Sequence, residues 1–352
     1  MADNHDDKKT RAMETFLVHG NARDEQWNYD YHVIPPITAS TTFRLDSTDR
    51  GSQGFATFSS PQVTEPGEKP IYIYDRLAEP TGALLENAFK ELEQGKSATA
   101  FASGMAAISA ALLSLCERDN EILAHRLTYG CTYSLLTNWL PRYGIEPVFA
   151  DLTDIDAAAR LITSKTRVIY FESPVNPTLD VIDIGAWASI AAAANADRPD
   201  NERIWVVVDN TFATPYCQRP LSLGADIVVH SLTKNVMGFG TDMGGIVVGP
   251  LAIHERIRLA RKDFGGVVAP RAAWNILVYG LSSLAIRMDK QMANADEVAS
   301  YLEQRPEVAL VAYPGLKSHP QQELAKRQMR DFKDRFAPGL MVYFELACEG
   351  DN

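Results

Sequence analysis

Asp209, Ser231, Thr233 and Lys234 are side chains whose types and spacing could do chemistry. Asp209 closes the apolar, β-branched run 205–208, and the other three follow the run 227–229. Both runs read as buried parallel strands. Open α/β sheets bind ligands beyond the carboxyl ends of their strands. A carboxylate and a lysine at one such rim suit pyridoxal phosphate (PLP). Its aldehyde needs an amine for a Schiff base, and its pyridine nitrogen needs an anion to stay protonated as an electron sink. Ser231 and Thr233 then offer two hydroxyls to the phosphate. Taken alone, the same residues fit a strand end followed by a solvated lysine.

The elements around this rim alternate regularly. Strands are predicted over 98–102, 121–124, 147–150, 167–171, 205–208, 227–229 and 244–248. Helices are predicted from Thr81, from about Met105 to Leu115, from Tyr129 to about Leu140, from Asp154, and over about 184–194. This spacing means βαβ units and a mostly parallel sheet with helices on both faces. A helical region over about 271–304 leaves the sheet, and a smaller α/β unit begins near Pro306 with strands over 309–312 and 340–346. Residues 1–75 read as an extended N-terminal arm, 76–265 as the large domain and 266–352 as the small domain. The sequence stops at Asn352 with only the first strands of that last unit, so its C-terminal part is expected to be missing.

With 34 basic and 45 acidic residues, the 352-residue chain has a formal charge of −11. That argues against a general affinity for nucleic acid or anionic membranes. No apolar stretch approaches a membrane span and no signal-peptide core follows Met1. The cysteines (Cys116, Cys131, Cys217, Cys348) form no C-x-x-C pair, so neither a disulfide framework nor a zinc site is indicated, and a reduced, cytoplasmic setting is expected. The first eleven residues crowd acids and bases and are expected to be mobile.

Four more segments add candidate ligands. Ser103-Gly104-Met105 lies at a strand-to-helix turn, where backbone N–H groups can hold a phosphate. Tyr129 could stack on a pyridine ring. Asn176, close between two prolines, can aim its amide at a ligand. Arg76, in Tyr74-Asp75-Arg76, could clamp phosphate through two N–H groups. Each is weak by itself.

Together they resemble the cysteine/methionine-metabolism family of PLP enzymes, which includes cystathionine γ-synthase, cystathionine lyases, O-acylhomoserine sulfhydrylases and methionine γ-lyase. The matching segments are Y-D-R-L-A-E-P-T (74–81), A-S-G-M-A-A (102–107), Y-G-C-T (129–132), E-S-P-V-N-P-T (172–178), V-D-N-T-F (208–212), H-S-L-T-K (230–234), G-F-G-T-D-M-G-G (238–245) and S-H-P-Q (318–321). They run in collinear order over nearly all the chain from about Pro35. The resemblance implies the fold type I architecture of PLP-dependent transferases, with Lys234 as the Schiff-base lysine and Asp209 as the partner of the pyridine nitrogen. It implies that Gly104, Met105, Ser231 and Thr233 hold the phosphate, that Tyr129 stacks on the ring and moves protons, and that Asn176 lies near the phenolic oxygen. Tyr74 and Arg76 would reach the phosphate of a neighbouring subunit in a homodimer that pairs into a homotetramer. Two positions depart from the pattern: Glu79 stands where the family usually has Asn, and Phe239 where many members have His. The family's arginine for the substrate carboxylate would lie beyond Asn352.

Within the family, Cys131 and the pair Lys262-Asp263 resemble the substrate pocket of methionine γ-lyase, while the G-F-G-T turn is closer to that of sulfhydrylases. The expected reaction is α,γ-elimination of L-methionine or a related sulfur amino acid to 2-oxobutyrate, ammonia and a thiol. γ-Replacement by a cystathionine γ-synthase or O-acylhomoserine sulfhydrylase, or a cystathionine lyase, is the alternative. Two rivals come from other classes. Ser231-Leu232-Thr233-Lys234 is formally S-x-x-K, the nucleophile motif of penicillin-binding proteins, but no S-D-N or K-T-G accompanies it. A PLP fold without catalysis is the other, and intact Lys234 and Asp209 argue against it.

Overall fold

The computed structural model describes residues 12–20, 32–58 and 70–347. Its centre is a seven-stranded sheet in the order β1-β7-β6-β5-β4-β2-β3. The strands are β1 (Ser97–Phe101), β2 (Glu121–His125), β3 (Glu146–Ala150), β4 (Thr166–Glu172), β5 (Trp205–Asp209), β6 (Ile227–Ser231) and β7 (Gly245–Gly249). β2 to β6 are parallel, and only β7 runs antiparallel to its neighbours β1 and β6. The central strands are near-continuous Val, Ile and aromatic runs because both of their faces are covered. Val206, Val207, Val208, Ile227, Val228 and Val229 are fully buried. Each such side chain contributes about 1.5–3 kcal/mol relative to exposure.

Twelve helices accompany the sheet among the described residues. In the arm and first unit they are α1 (Met13–His19), α2 (Thr48–Thr57), α3 (Pro80–Leu92), α4 (Gly104–Leu115), α5 (Gly130–Ser134), α6 (Ile155–Ala159) and α7 (Ile184–Asn195). Later come α8 (Thr214–Cys217), α9 (Leu251–Phe264), α10 (Pro270–Asn275), α11 (Ser282–Glu303) and α12 (Gln322–Gln328). Strand alternation sends Val207 and Val229 to the face covered by α4 and α9, and Val206 and Val208 to the face covered by α7. A third cluster packs α3 and α11 against β1 and β7. The small unit pairs β8 (Val308–Ala312) with β9 (Tyr343–Leu346) antiparallel, beside α11. The parallel sheet with helices on both faces is the expected fold type I layout.

Several local expectations are corrected. The arm is not wholly extended: it carries α1, which packs Leu17 into the core, and α2, capped by Ser47 accepting from Arg50 N–H at 3.1 Å. Thr81 does not cap α3. Glu79 does, its carboxylate accepting the N–H of Thr81 (2.7 Å) and of Gly82, with Pro80 in the first turn. The helix after Tyr129 reaches Leu140 in pieces: α5, a π-helical turn over Leu135–Trp139, and a 3₁₀ turn started by Pro141 and ended by Gly144 at φ 76°. α9 and α12 were not anticipated, although Ile253, Ile257 and Ala260 give α9 a buried stripe at helical spacing. The charged first eleven residues, the arm over 21–31 and 59–69, and Cys348 lie outside the described residues.

Candidate active site

The sheet gathers the sequence candidates at the carboxyl ends of β4, β5 and β6. Glu172 pairs in register with Asp209, and Asp209 with Val229, two residues short of Ser231. Alternation puts Glu172, Asp209 and Ser231 on one face, the face of α4. Thr211 joins two of them: its hydroxyl accepts the N–H of Ser231 at 2.8 Å, and its N–H donates to Asp209 Oδ1 at 2.9 Å.

The phosphate side is built by close approach. A Cβ on Gly104 would lie 2.6 Å from Ser231 Cβ and 3.0 Å from its Oγ, and a Cβ on Gly245 would fall 2.0 Å from the carbonyl oxygen of Ser103. Only glycine at both places lets the first turn of α4 sit against the segment leading to Lys234. Ser103 caps α4, its hydroxyl accepting from Ala106 N–H at 3.1 Å. The N–H groups of Gly104 and Met105, in the first turn, have no acceptor within the helix, and the positive end of the helix dipole faces the same spot. Met105 otherwise packs inward, its sulfur 3.8 Å from the Thr132 hydroxyl. Thr233 is turned to the backbone of Gly244, which it meets at 3.2 and 3.3 Å, so its hydroxyl closes the turn before Lys234. Lys234 is exposed and forms no ion pair among the described residues.

Two buried carboxyl groups stand side by side. Burial pushes Asp209 above its ordinary value, while hydrogen bonds from Thr211, the charge of His230 and the Tyr170 hydroxyl (3.5 Å) oppose that push. Burial, then the charge of Asp209, pushes Glu172 up to about 8. Glu172 was not singled out from sequence, yet it holds two candidates. It accepts the N–H of Tyr129 at 2.5 Å and the backbone N–H of Asn176. The signal that could have found it is its place in E-S-P-V-N-P, one residue beyond an apolar strand.

Tyr129 and Cys131 lie two residues apart at the start of α5, both exposed, and the neighbouring Cys131 side chain acts on the Tyr129 phenol. Cys131, then burial and the charge of Glu172, raise the Tyr129 phenol above its ordinary value, so it stays a proton donor. The rim on the other side is different. Arg76 donates to the carbonyl of Lys262 and its guanidinium lies 5.4 Å from the ring of Tyr74. Lys262 pairs with Asp263 at 3.2 Å. No hydrogen bond or ion pair joins Lys262 or Asp263 to Tyr129 or Cys131 among the described residues. Arg261, between them and the sheet, is buried and structural: it binds the carbonyls of Leu77 (2.7 Å) and Ala100 (2.9 Å) and pairs with Glu86 at 2.5 Å. Phe239 sits in an exposed turn 5.5 Å from the guanidinium of Arg287.

An unpaired lysine, a buried carboxylate at the next strand end and a glycine-walled helix N-terminus fit a phosphorylated pyridine aldehyde. With the sheet order, they define a PLP enzyme of fold type I. A family model for Cys/Met metabolism PLP-dependent enzymes matches residues 14–350. An L-methionine gamma-lyase of Pseudomonas putida is 39% identical over 344 residues, 97% of this chain and 80% of that protein. One from Fusobacterium nucleatum subsp. polymorphum is 39% identical over 88% of this chain and 73% of its own length, and a cystathionine gamma-lyase of Bacillus subtilis is 38% identical over 84% and 73%. The crystal structure of metB from Corynebacterium glutamicum superposes with a TM-score of 0.81 at 33% identity, covering 96% of this chain and 79% of that one. The chain belongs to the Cys/Met metabolism PLP-dependent enzymes. No helix among the described residues is long and apolar enough to cross a membrane.

Proposed function

We propose that this enzyme is a carbon–sulfur lyase that eliminates the γ-substituent of L-methionine, or of a closely related sulfur amino acid, to give 2-oxobutyrate, ammonia and a thiol. The observation that carries the reading is the placement of Tyr129 and Cys131 together at the rim, open to solvent, with the Tyr129 backbone held by Glu172. Its similarity to enzymes named L-methionine gamma-lyase supports the choice. When bound, PLP supplies an aldehyde that captures an amino group and a protonated ring that draws electron density from Cα. Asp209 holds the proton on the ring nitrogen. The N–H groups of Gly104 and Met105 and the hydroxyl of Ser231 take the phosphate, with Thr233 shaping the turn. Asn176 would lie near the phenolic oxygen. Lys234 would hold the aldehyde, and its freed amine would take the Cα proton of the substrate. Tyr129 would stack on the ring and would give its proton to the departing thiolate. Cys131, with Lys262 and Asp263 at the opposite rim, borders the side chain that leaves.

γ-Replacement remains the second reading because the G-F-G-T turn at 238–241 is closer in shape to that of sulfhydrylases. The two are separated by supplying L-methionine, cystathionine and O-acetylhomoserine in turn, with and without added thiol. Elimination predicts 2-oxobutyrate and methanethiol from methionine alone. Product only from O-acetylhomoserine, and only with thiol, overturns the lyase reading.

The assembly belongs to the same proposal: a cytoplasmic homodimer, paired into a tetramer, with Tyr74 and Arg76 completing the phosphate site of the neighbouring subunit. Support comes from exposure. Tyr74, Met243 and Phe264 are 40%, 64% and 76% accessible in the single chain, and among the described residues Arg76 meets Tyr74 and the Lys262 carbonyl. Mixing inactive Arg76→Ala with inactive Lys234→Ala subunits should restore part of the activity. No recovery in hybrids shown to form counts against a shared site.

A further inference from the structure

Each strand end that serves the cofactor also carries a neighbour pointing the other way. Ser173 follows Glu172, Asn210 follows Asp209, and His230 precedes Ser231, so the period-two alternation turns these three toward α3 and α7. There they enter a buried polar layer. Its hub is Glu93, just past the end of α3 and fully buried. Glu93 Oε1 meets His230 Nε2 at 2.6 Å and accepts from Asn210 Nδ2 at 3.0 Å. Asn210 also donates to the Gln218 carbonyl at 2.8 Å. Gln218 donates in turn to the Ser173 carbonyl at 2.8 Å and to Asn210 Oδ1 at 3.0 Å. Gln328 of α12 closes the layer on Gln218 Oε1 at 3.0 Å.

The composition of this layer is the clue. Neutral amides could satisfy one another, yet a carboxylate sits at its centre with no solvent. A buried anion is tolerated when a cation pairs with it. The nearest candidate is the imidazole of His230, 1% exposed and one residue from Ser231. We propose that Glu93 is a positioning residue that acts through His230: it holds the ring as an imidazolium behind β5 and β6, and that charge keeps Asp209 an anion for the pyridine nitrogen. The inference rests on the assignment of Asp209 made above. A positive charge on His230 would act on Asp209 in the sense required, opposing the push of burial. Because Glu93 touches no substrate, Glu93→Gln leaves the binding groups in place, keeps an oxygen for Asn210 Nδ2 and removes the charge behind them.

The test reads protonation rather than turnover. In the unaltered protein, 15N shifts of the histidine rings should show both nitrogens of His230 protonated at neutral pH, and a neutral ring overturns the proposal without any variant. PLP labelled with 15N at the pyridine nitrogen is then bound to the wild type, Glu93→Gln, His230→Gln and Asp209→Ala, each checked for folding by the melting of its apo form. The pyridine nitrogen should lose its proton in Glu93→Gln and in His230→Gln, with PLP affinity reduced about tenfold, as for a one-unit change in a neighbour's ionisation. An unchanged pyridine shift in either folded variant, with affinity within about twofold of wild type, sinks the role of Glu93. If Asp209→Ala itself keeps the nitrogen protonated, the assignment of Asp209 fails, and this inference with it.

Discussion

The ends of β4 to β6 and the rim formed by Arg76, Cys131, Lys262 and Asp263 are built on opposite plans. At the strand ends, Asp209 and Glu172 are buried, and Asp209, Glu172 and Ser231 are each hydrogen-bonded by a named neighbour. At the rim, Arg76 and Cys131 are exposed, and Lys262 finds its ion pair next door in sequence, at Asp263. The contrast teaches where precision is needed. Groups that set the electronics of a cofactor are fixed by a rigid sheet. Groups that meet a variable side chain, or a second subunit, stand on loops and helix ends.

The comparison can be broken first at its centre. Lys234→Ala should abolish turnover, a loss on the order of 10⁴-fold or more, since it removes the amine that the proposed reading assigns to the aldehyde and to the Cα proton. The visible absorbance of the lysine-bound cofactor should vanish with it. A Lys234→Ala protein that keeps the band and normal activity would falsify the assignment. Glu172 tests whether the strand ends reach out to the rim. Removing its acceptor in Glu172→Ala frees the backbone of Tyr129 and Asn176, and kcat/KM should fall about 10–100-fold. Glu172→Gln, which keeps an oxygen facing Tyr129, should recover most of that loss, and equal damage in both variants would show that charge matters instead of placement.

Cys131→Gly sharpens the other side. One small side chain at an open pocket discriminates by about 1–3 kcal/mol, so the ratio of kcat/KM for methionine over O-acetylhomoserine should drop by roughly tenfold while PLP affinity is kept. If the ratio does not move, Cys131 is a packing residue and γ-replacement gains ground.

The smallest effect is on stability. Burial pushes Glu79 from 4.5 up to about 7 in the folded chain. The native state therefore holds this proton more tightly than the unfolded one, and its contribution to stability declines as pH rises from about 4.5 to 7. Glu79→Gln should flatten that part of the stability–pH curve, a difference of roughly 1–3 kcal/mol between its ends. Chemical denaturation of both forms at pH 4.5 and 8 checks it, and parallel curves would mean that Glu79 is ionised in the fold.

Much of this was legible without coordinates. Runs such as Val206-Val207-Val208 announce buried strands because a strand covered on both faces must be apolar throughout. Asp209 and Lys234 stand out because each breaks such a run at its carboxyl end. Glu172 does the same, yet its two hydrogen bonds lie 43 and 4 residues along the chain, and only folding shows that the distant one is Tyr129. Thr81, a good cap by type, marks the start of α3 two residues late, because Glu79, longer and followed by Pro80, reaches the first N–H groups of the helix.

What the sequence by itself determined is therefore the periodic part: strand–helix order, a parallel sheet, and the polar residues at its rim. These follow from local rules in which a residue's type and its distance to the next apolar position suffice. What tertiary structure alone decided is which residues meet. Glu93 joins His230 across 137 positions and Asn210 across 117, a layer that no spacing rule reveals. Such pairs are set by the crossovers that bring strands together and by the need to satisfy every buried polar group. Both act only once the chain has packed.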